Sequence, residues 1–314
     1  KMGFTGLTIT DALNMKGVSQ FYEPGEVDVK ALLAGNDVLL FAENVPKAID
    51  EIKKAIKENR ISQSEIDKRC HKILMAKKWM GLDDYKAIDV SKVEDEIVSI
   101  KTKLINKKLV KSSITLLQNY DNLLPLKRLD TLRIAAVAIG EQSINFKNML
   151  SNYASITNFT IAENANISQQ AVLLNKLSKY NLVIVSVHKS NANAWKSYKI
   201  NKKADILLQS IALQSKVVVP IFASPYSINS LLSTNNFDAI LLGYQNSNIS
   251  QQQVAQAIFG GVGISGKVPV TTKHFDINFG INTNAIRMAY VSAEEIGFNT
   301  NFLYKIDSIA ENAI

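Results

Sequence analysis

The chain has 314 residues, 46% hydrophobic and 20% charged, a near-average globular balance that supports a sizeable core and about two domains. A single cysteine, Cys70, excludes an internal disulfide framework and a multi-cysteine metal site, and the lack of any run of roughly 18 apolar residues excludes a membrane-spanning helix. The net charge of +8 rests largely on helical lysines such as Lys53, Lys54 and Lys57 or Lys68, Lys72, Lys77 and Lys78, which read as solvated faces; without interleaved aromatics or a binding motif, no nucleic-acid partner is expected.

Residues 6 to 11 form an apolar stretch, predicted as a strand, that ends on one acid, Asp11. A strand at the very start of a sequence has no earlier chain to pair with, so the expectation is that the chain begins inside a domain. A helix is expected from Glu26 to Ala34, closed by Gly35, followed by a second short strand over 36 to 41. Asn44 is placed to cap the next helix, with Pro46 in its first turn and Ala48, Ile49, Ile52, Ala55 and Ile56 at helical spacing. Ser62 and Glu65 read as a capping box for a helix that carries Ile66, Cys70, Ile73 and Leu74 on one face and stops at Gly81.

Residues 83 to 110 are charged, helical in character and read as a connector. A second unit opens over 113 to 119 and continues through Leu123-Leu124-Pro125-Leu126. Apolar runs recur at 134 to 139, 182 to 187, 217 to 222 and 237 to 242, separated by helical or irregular chain. Runs apolar on both faces predict parallel strands covered by helices on each side, an α/β fold. A helix over 251 to 259 ends at Gly260-Gly261. An extended tail from Thr271 to about Thr300 is expected to pack over this unit, and Leu303, Ile306, Ile309 and Ala310 begin an amphipathic helix that reaches Ile314 without a cap.

Asp11 is the foremost chemical candidate, because open and closed parallel sheets place reacting groups at strand carboxyl ends. From its position alone it is either a reacting carboxylate or a cap on the turn. Glu141 and His188 follow the runs 134 to 139 and 182 to 187 and occupy the same kind of place; for His188 a satisfied surface histidine is the competing reading. Ser186-Val187-His188-Lys189 matches Ser-x-x-Lys, but that motif opens a helix in serine acyl enzymes, whereas here it ends a strand. His71 reads as structural and His274 is uninformative. Neither a Walker loop nor Gly-x-Gly-x-x-Gly is present.

Gly3-Phe4-Thr5-Gly6-Leu7-Thr8-Ile9-Thr10-Asp11-Ala12-Leu13-Asn14-Met15 resembles the nucleophile strand of glycoside hydrolase family 3. Ala34-Gly35-Asn36-Asp37 and the Ile73-Leu74 to Gly81-Leu82 helix resemble the end of that family's barrel. Residues 113 to 119 with Leu124-Pro125-Leu126, and 252 to 270 with Ala257-Ile258-Phe259-Gly260-Gly261 and Ser265-Gly266-Lys267-Val268-Pro269, are similar to its C-terminal domain. The resemblance covers residues 1 to about 275. It implies the C-terminal part of a (β/α)8 barrel over 1–85, a helical linker over 86–112 and an α/β sandwich with a mainly parallel sheet over 113–275. The remainder, 276–314, is a tail and the start of a further domain that resembles the first helix of a β-lactamase-like fold.

The resemblance also implies chemistry. Asp11 becomes the nucleophile of a retaining glycosidase, and Met15 packs beneath the sugar. Ala12 and Leu13 after the acid, where β-glucosidase-like members carry Trp, resemble the β-N-acetylhexosaminidase branch, whose acid/base is a His-Asp pair on an earlier barrel loop. The implied substrate is a terminal β-linked N-acetylglucosamine, and the implied partner is the preceding barrel segment. Neither cofactor nor metal is implied. The alternatives are a non-catalytic glycan-binding module and a β-glucosidase-like member that takes Glu141 as acid/base. The compartment is not legible, with a leaning toward an exported bacterial protein.

Overall fold

The computed structural model describes residues 3–141, 143–190, 197–298 and 302–313. The chain divides into two compact units, Lys1–Val93 and Glu94–Ile314. Among the described residues no helix is long and apolar enough to cross a membrane.

The first unit contains α1 (Lys16–Ser19), α2 (Glu26–Leu33), α3 (Val45–Lys57) and α4 (Gln63–Trp79). The two expected strands reduce to one parallel bridge, Ile9 with Val38. Side chains replace ladder bonds at both ends: the Thr10 hydroxyl accepts the Leu40 N–H, and the Asp37 carboxylate accepts the Thr8 N–H. Extended backbone with side-chain partners satisfies the main chain without a regular ladder. We call these two segments staves. A small core of Val29, Leu32, Ala55 and Ile61 sits under α2 and α3. Ile49, expected on the buried face of α3, is exposed. On α4 no residue is fully buried, and Cys70 and Leu74 of its expected face are exposed. Only half of the expected capping box forms: Ser62 accepts the Glu65 N–H, while the Glu65 carboxylate turns to Arg69. Arg69 also donates to the carbonyls of Leu32 and Asn36, satisfying the end of α2.

α5 (Val93–Ile97) spans the division between the units, and α6 (Ile100–Ser113) lies in the second. Then follow β1 (Thr115–Asn119), β2 (Ile134–Gly140), α7 (Ile144–Ser151), β3 (Ile156–Ile161), α8 (Ile167–Leu177), β4 (Leu182–His188), α9 (Lys202–Ala212), β5 (Lys216–Phe222), β6 (Ala239–Leu242), α10 (Asn248–Phe259) and α11 (Tyr304–Ala313). The sheet order is β1-β6-β5-β4-β2-β3, parallel except for β1. Each face buries its own apolar cluster, centred on Val137, Val185, Val219 and Ile240 on one side and on Phe146, Ile184, Phe222 and Phe259 on the other. Each such side chain contributes roughly 1.5–3 kcal/mol on burial.

One strand escapes a search for apolar runs. β3 is an edge strand whose Thr157, Asn158 and Thr160 are exposed, so polar residues break its apolar run at half of its six positions. The run at 237 to 242 yields a strand only from Ala239; Phe237 is core, and the Asp238 carboxylate accepts the Val217 N–H. The tail packs back as expected. Ile281 bridges to Leu116, Thr283 to Ile264, and the Arg287 guanidinium donates to the carbonyls of Leu126, Lys127 and Phe259.

Candidate active site

In the first unit, Asp11 follows a stave held at both of its sides. Before it, the Thr10 N–H bonds to the Val38 carbonyl (3.1 Å); after it, the Leu13 N–H bonds to the Leu40 carbonyl (3.0 Å) and the Leu13 side chain is buried. The anchored neighbours fix the direction of the intervening residue, which a mobile loop cannot do. Asp11 itself is exposed. Its Oδ1 accepts the Ala12 N–H at 2.7 Å, and among the described residues no lysine, arginine or histidine pairs with it. The turn after it is closed by Met15, whose N–H donates to the Ala12 carbonyl. Met15 is exposed and precedes α1.

Beneath this stave lies a lock that sequence reasoning had not assigned. Asp37 Oδ2 receives the Thr8 N–H and hydroxyl, each at 2.8 Å, and the Lys72 ammonium at 2.6 Å. Burial pushes the Asp37 carboxyl up, but Lys72 and the two Thr8 donors outweigh it and hold it below the usual carboxylate range. The lock therefore contributes stability at neutral pH and loses it as pH falls through that lowered value. Its signal in the sequence was an acid on a predicted strand one turn after a helix stop, with a lysine 35 residues on. Nothing in the spacing says the two meet.

In the second unit, the carboxyl ends of β2 and β4 lie side by side, with Gly140 opposite His188. Gly140 sits at φ +99°, and a Cβ there would collide with the His188 carbonyl oxygen. That turn leaves Glu141 exposed on the sheet's carboxyl edge, its N–H donating to the same carbonyl (3.2 Å).

His188 is not a surface residue and offers no nitrogen to a ligand. It is fully buried; Nδ1 meets Asn246 Oδ1 at 2.8 Å and Nε2 meets Ser186 Oγ at 2.9 Å. Asn246 Oδ1 also accepts from Gln251, so His188 carries its proton on Nδ1. The ring stacks on Phe222 with centroids 4.7 Å apart. Burial lowers its pKa to about 4, against the support of the Asn246 bond. The Ser-x-x-Lys match has no catalytic pair either: the Ser186 hydroxyl faces His188, and the Lys189 ammonium pairs with Glu163 at 2.7 Å. His71 is exposed on α4, and His274 is half-buried in the tail.

The His188 environment makes a stability prediction. The ring is neutral in the fold to about pH 4 but protonates near 6.5 when unfolded. The unfolded chain binds the extra proton between those values, so stability falls as pH drops from about 6.5 to about 4, by up to about 3 kcal/mol. Urea unfolding of wild type and His188→Gln at pH 7 and pH 4.5 reads this directly. The wild type should lose more stability than the variant over that interval; equal losses would remove His188 as the source.

Residues 1–76 match the family model "Glycosyl hydrolase family 3 N terminal domain", and residues 114–306 match "Glycosyl hydrolase family 3 C-terminal domain". A xylan 1,4-β-xylosidase of Xylanibacter ruminicola is 30% identical over 51% of this chain and 18% of its own. A β-N-acetylglucosaminidase/β-glucosidase of Cellulomonas fimi is 23% identical over 41% of this chain and 23% of its own. The solved structure of a glycoside hydrolase family 3 β-N-acetylglucosaminidase from a Paenibacillus species superposes with a TM-score of 0.59 at 22% identity, covering 82% of this chain and 49% of that one. The chain spans less than half the length of each of these proteins.

Proposed function

Since this chain belongs to glycoside hydrolase family 3, we propose that it supplies the nucleophile and the second domain of a retaining exo-β-glycosidase. The observation that carries this reading is the exposed Asp11 carboxylate, free of ion pairs among the described residues, at the carboxyl end of an anchored stave. An ionised carboxylate held on rigid backbone is what a double displacement requires. Asp11 attacks the anomeric carbon as a separate acid protonates the leaving oxygen. A water then hydrolyses the glycosyl-Asp11 ester, with that acid now acting as base.

The proposed substrate is a terminal β-linked N-acetylglucosamine. Ala12 and Leu13 behind the nucleophile support it, by their resemblance to the hexosaminidase branch. In this reading the acid/base is a His-Asp pair on a preceding barrel segment, and the 314 residues alone do not turn over. Neither metal nor cofactor takes part in the proposed chemistry. The test is kcat/KM of the polypeptide that joins this chain to a complete barrel, on the nitrophenyl β-glycosides of N-acetylglucosamine, xylose and glucose. Preference for the first supports the assignment; preference for either of the others moves the substrate.

A second reading follows from the name of the Xylanibacter ruminicola relative and from Glu141, exposed on the sheet's carboxyl edge. Here the sugar is xylose or glucose, and Glu141 is the acid/base. Glu141→Gln separates the two. Under the hexosaminidase reading kcat/KM stays within about twofold of wild type. Under the second it falls about a hundredfold or more on substrates with poor leaving groups, and azide restores part of the rate.

A further inference from the structure

Tyr198 and Tyr226 stand together on the second unit, on loops that follow β4 and β5. Tyr226 belongs to the 3-10 turn Pro225–Ser230, entered directly after β5, and Tyr198 lies just before α9. Both rings are exposed, at 43% and 42%. Their backbones are not mobile tips: Ile200 and Ile228, each two residues away, are core residues. Two exposed rings held by buried neighbours make a fixed aromatic surface, apolar on its faces and polar at each hydroxyl.

The rings lie 6.4 Å apart, tilted by 48°. They line a cleft of about 380 Å³ with Lys199, Ile200, Asn229 and Ser230. A flat ligand sandwiched between two rings needs about 7–8 Å, twice a carbon contact of ~3.5–4.0 Å. The pair therefore cannot clamp a ring; it forms an open, angled platform. Around that platform the groups are mainly hydrogen-bonding. Asn229 Oδ1 already accepts the Lys273 N–H at 2.7 Å, so its amide NH2 is the group left to offer. The Ser230 hydroxyl and the Lys199 ammonium add donors, and among the described residues the cleft lining holds no carboxylate.

Apolar rings with a donor-rich border match the two faces of a pyranose, C–H groups on one side and hydroxyls at the rim. We propose that Tyr198 and Tyr226 form a saccharide-binding platform for a neutral β-linked oligosaccharide. This deepens the glycosidase reading by giving the second unit a sugar contact of its own, and it rests on that reading for the choice of ligand.

The experiment is a fluorine NMR titration of the whole chain labelled with 3-fluorotyrosine, using xylotetraose and chitotetraose as probes. Loss of one signal in Tyr198→Phe and in Tyr226→Phe assigns the two resonances. Both should shift on saturable binding of at least one probe. Affinities of the variants, which lack one or both reporter rings, are read by isothermal titration calorimetry beside wild type: Tyr198→Ala/Tyr226→Ala should bind about tenfold or more weakly, while Tyr226→Trp stays within about threefold of wild type. If neither resonance moves with either sugar, or if the double variant binds as tightly as wild type, the platform is refuted. Turnover is not read, so a failure of Asp11 to act as nucleophile leaves this outcome unchanged.

Discussion

Asp11→Asn is expected to lower kcat by at least about a thousandfold in the polypeptide that carries a complete barrel, with little change in unfolding midpoint. The amide keeps the size and the acceptor oxygen that takes the Ala12 N–H, so the turn survives. It lacks the negative charge that makes the carboxylate a nucleophile, and the first displacement has no substitute for that. Asp11 makes no ion pair among the described residues, so its replacement breaks no buried network. A structural cap would behave in the opposite way, with a modest stability loss of about 0.5–2 kcal/mol and nearly normal turnover. Activity and urea midpoint measured on one preparation distinguish the two outcomes.

Gly140→Ala should be among the more disruptive small substitutions in the second unit, costing about 3–5 kcal/mol. Two costs add. The backbone at φ +99° is unfavourable for any residue with a Cβ. The new methyl would also meet the His188 carbonyl oxygen, which is backbone of the neighbouring central strand and cannot swing aside. Relief would require β2 and β4 to part where His188 is packed against Phe222 and Phe146. Gly17→Ala is the control: it lies in α1 with nothing near the added methyl and should be neutral or slightly stabilising. A loss under about 1 kcal/mol at Gly140 would mean that the turn relaxes and does not fix Glu141.

Much of this molecule was readable beforehand, for identifiable reasons. Strands buried on both faces, such as Ile134 to Ile139 and Val217 to Phe222, announce themselves as unbroken apolar runs, because neither face can tolerate a polar side chain. β3 stays hidden because it lies at the sheet edge and keeps Asn158 and Thr160. Helix ends at Gly81 and Gly260 were legible because both sit in the left-handed region that glycine tolerates. The apolar faces of α3 and α4 were read from spacing, and Ile49 and Leu74 are exposed all the same. Periodicity marks a face that is able to pack, and says nothing of how much of it is covered.

The site divides in the same way. Asp11 was findable because a lone acid ends a short apolar stretch. The Asp37–Lys72–Thr8 lock beneath it was not, since its members come from three segments and meet only in the fold. His188 was placed at the right strand end and misjudged in exposure. Its polarity suggested surface, whereas Asn246 and Ser186 satisfy both nitrogens inside the core.

The central claim is that Asp11 becomes esterified by the sugar. Incubating the complete polypeptide with a fluorinated glycosyl fluoride, whose enzyme ester hydrolyses slowly, and then mapping peptides by mass spectrometry tests it directly. One sugar mass should appear on the peptide that contains Asp11 and be absent in Asp11→Asn. Label on a different carboxylate, or rapid turnover through an inverted product with no label at all, would contradict the account.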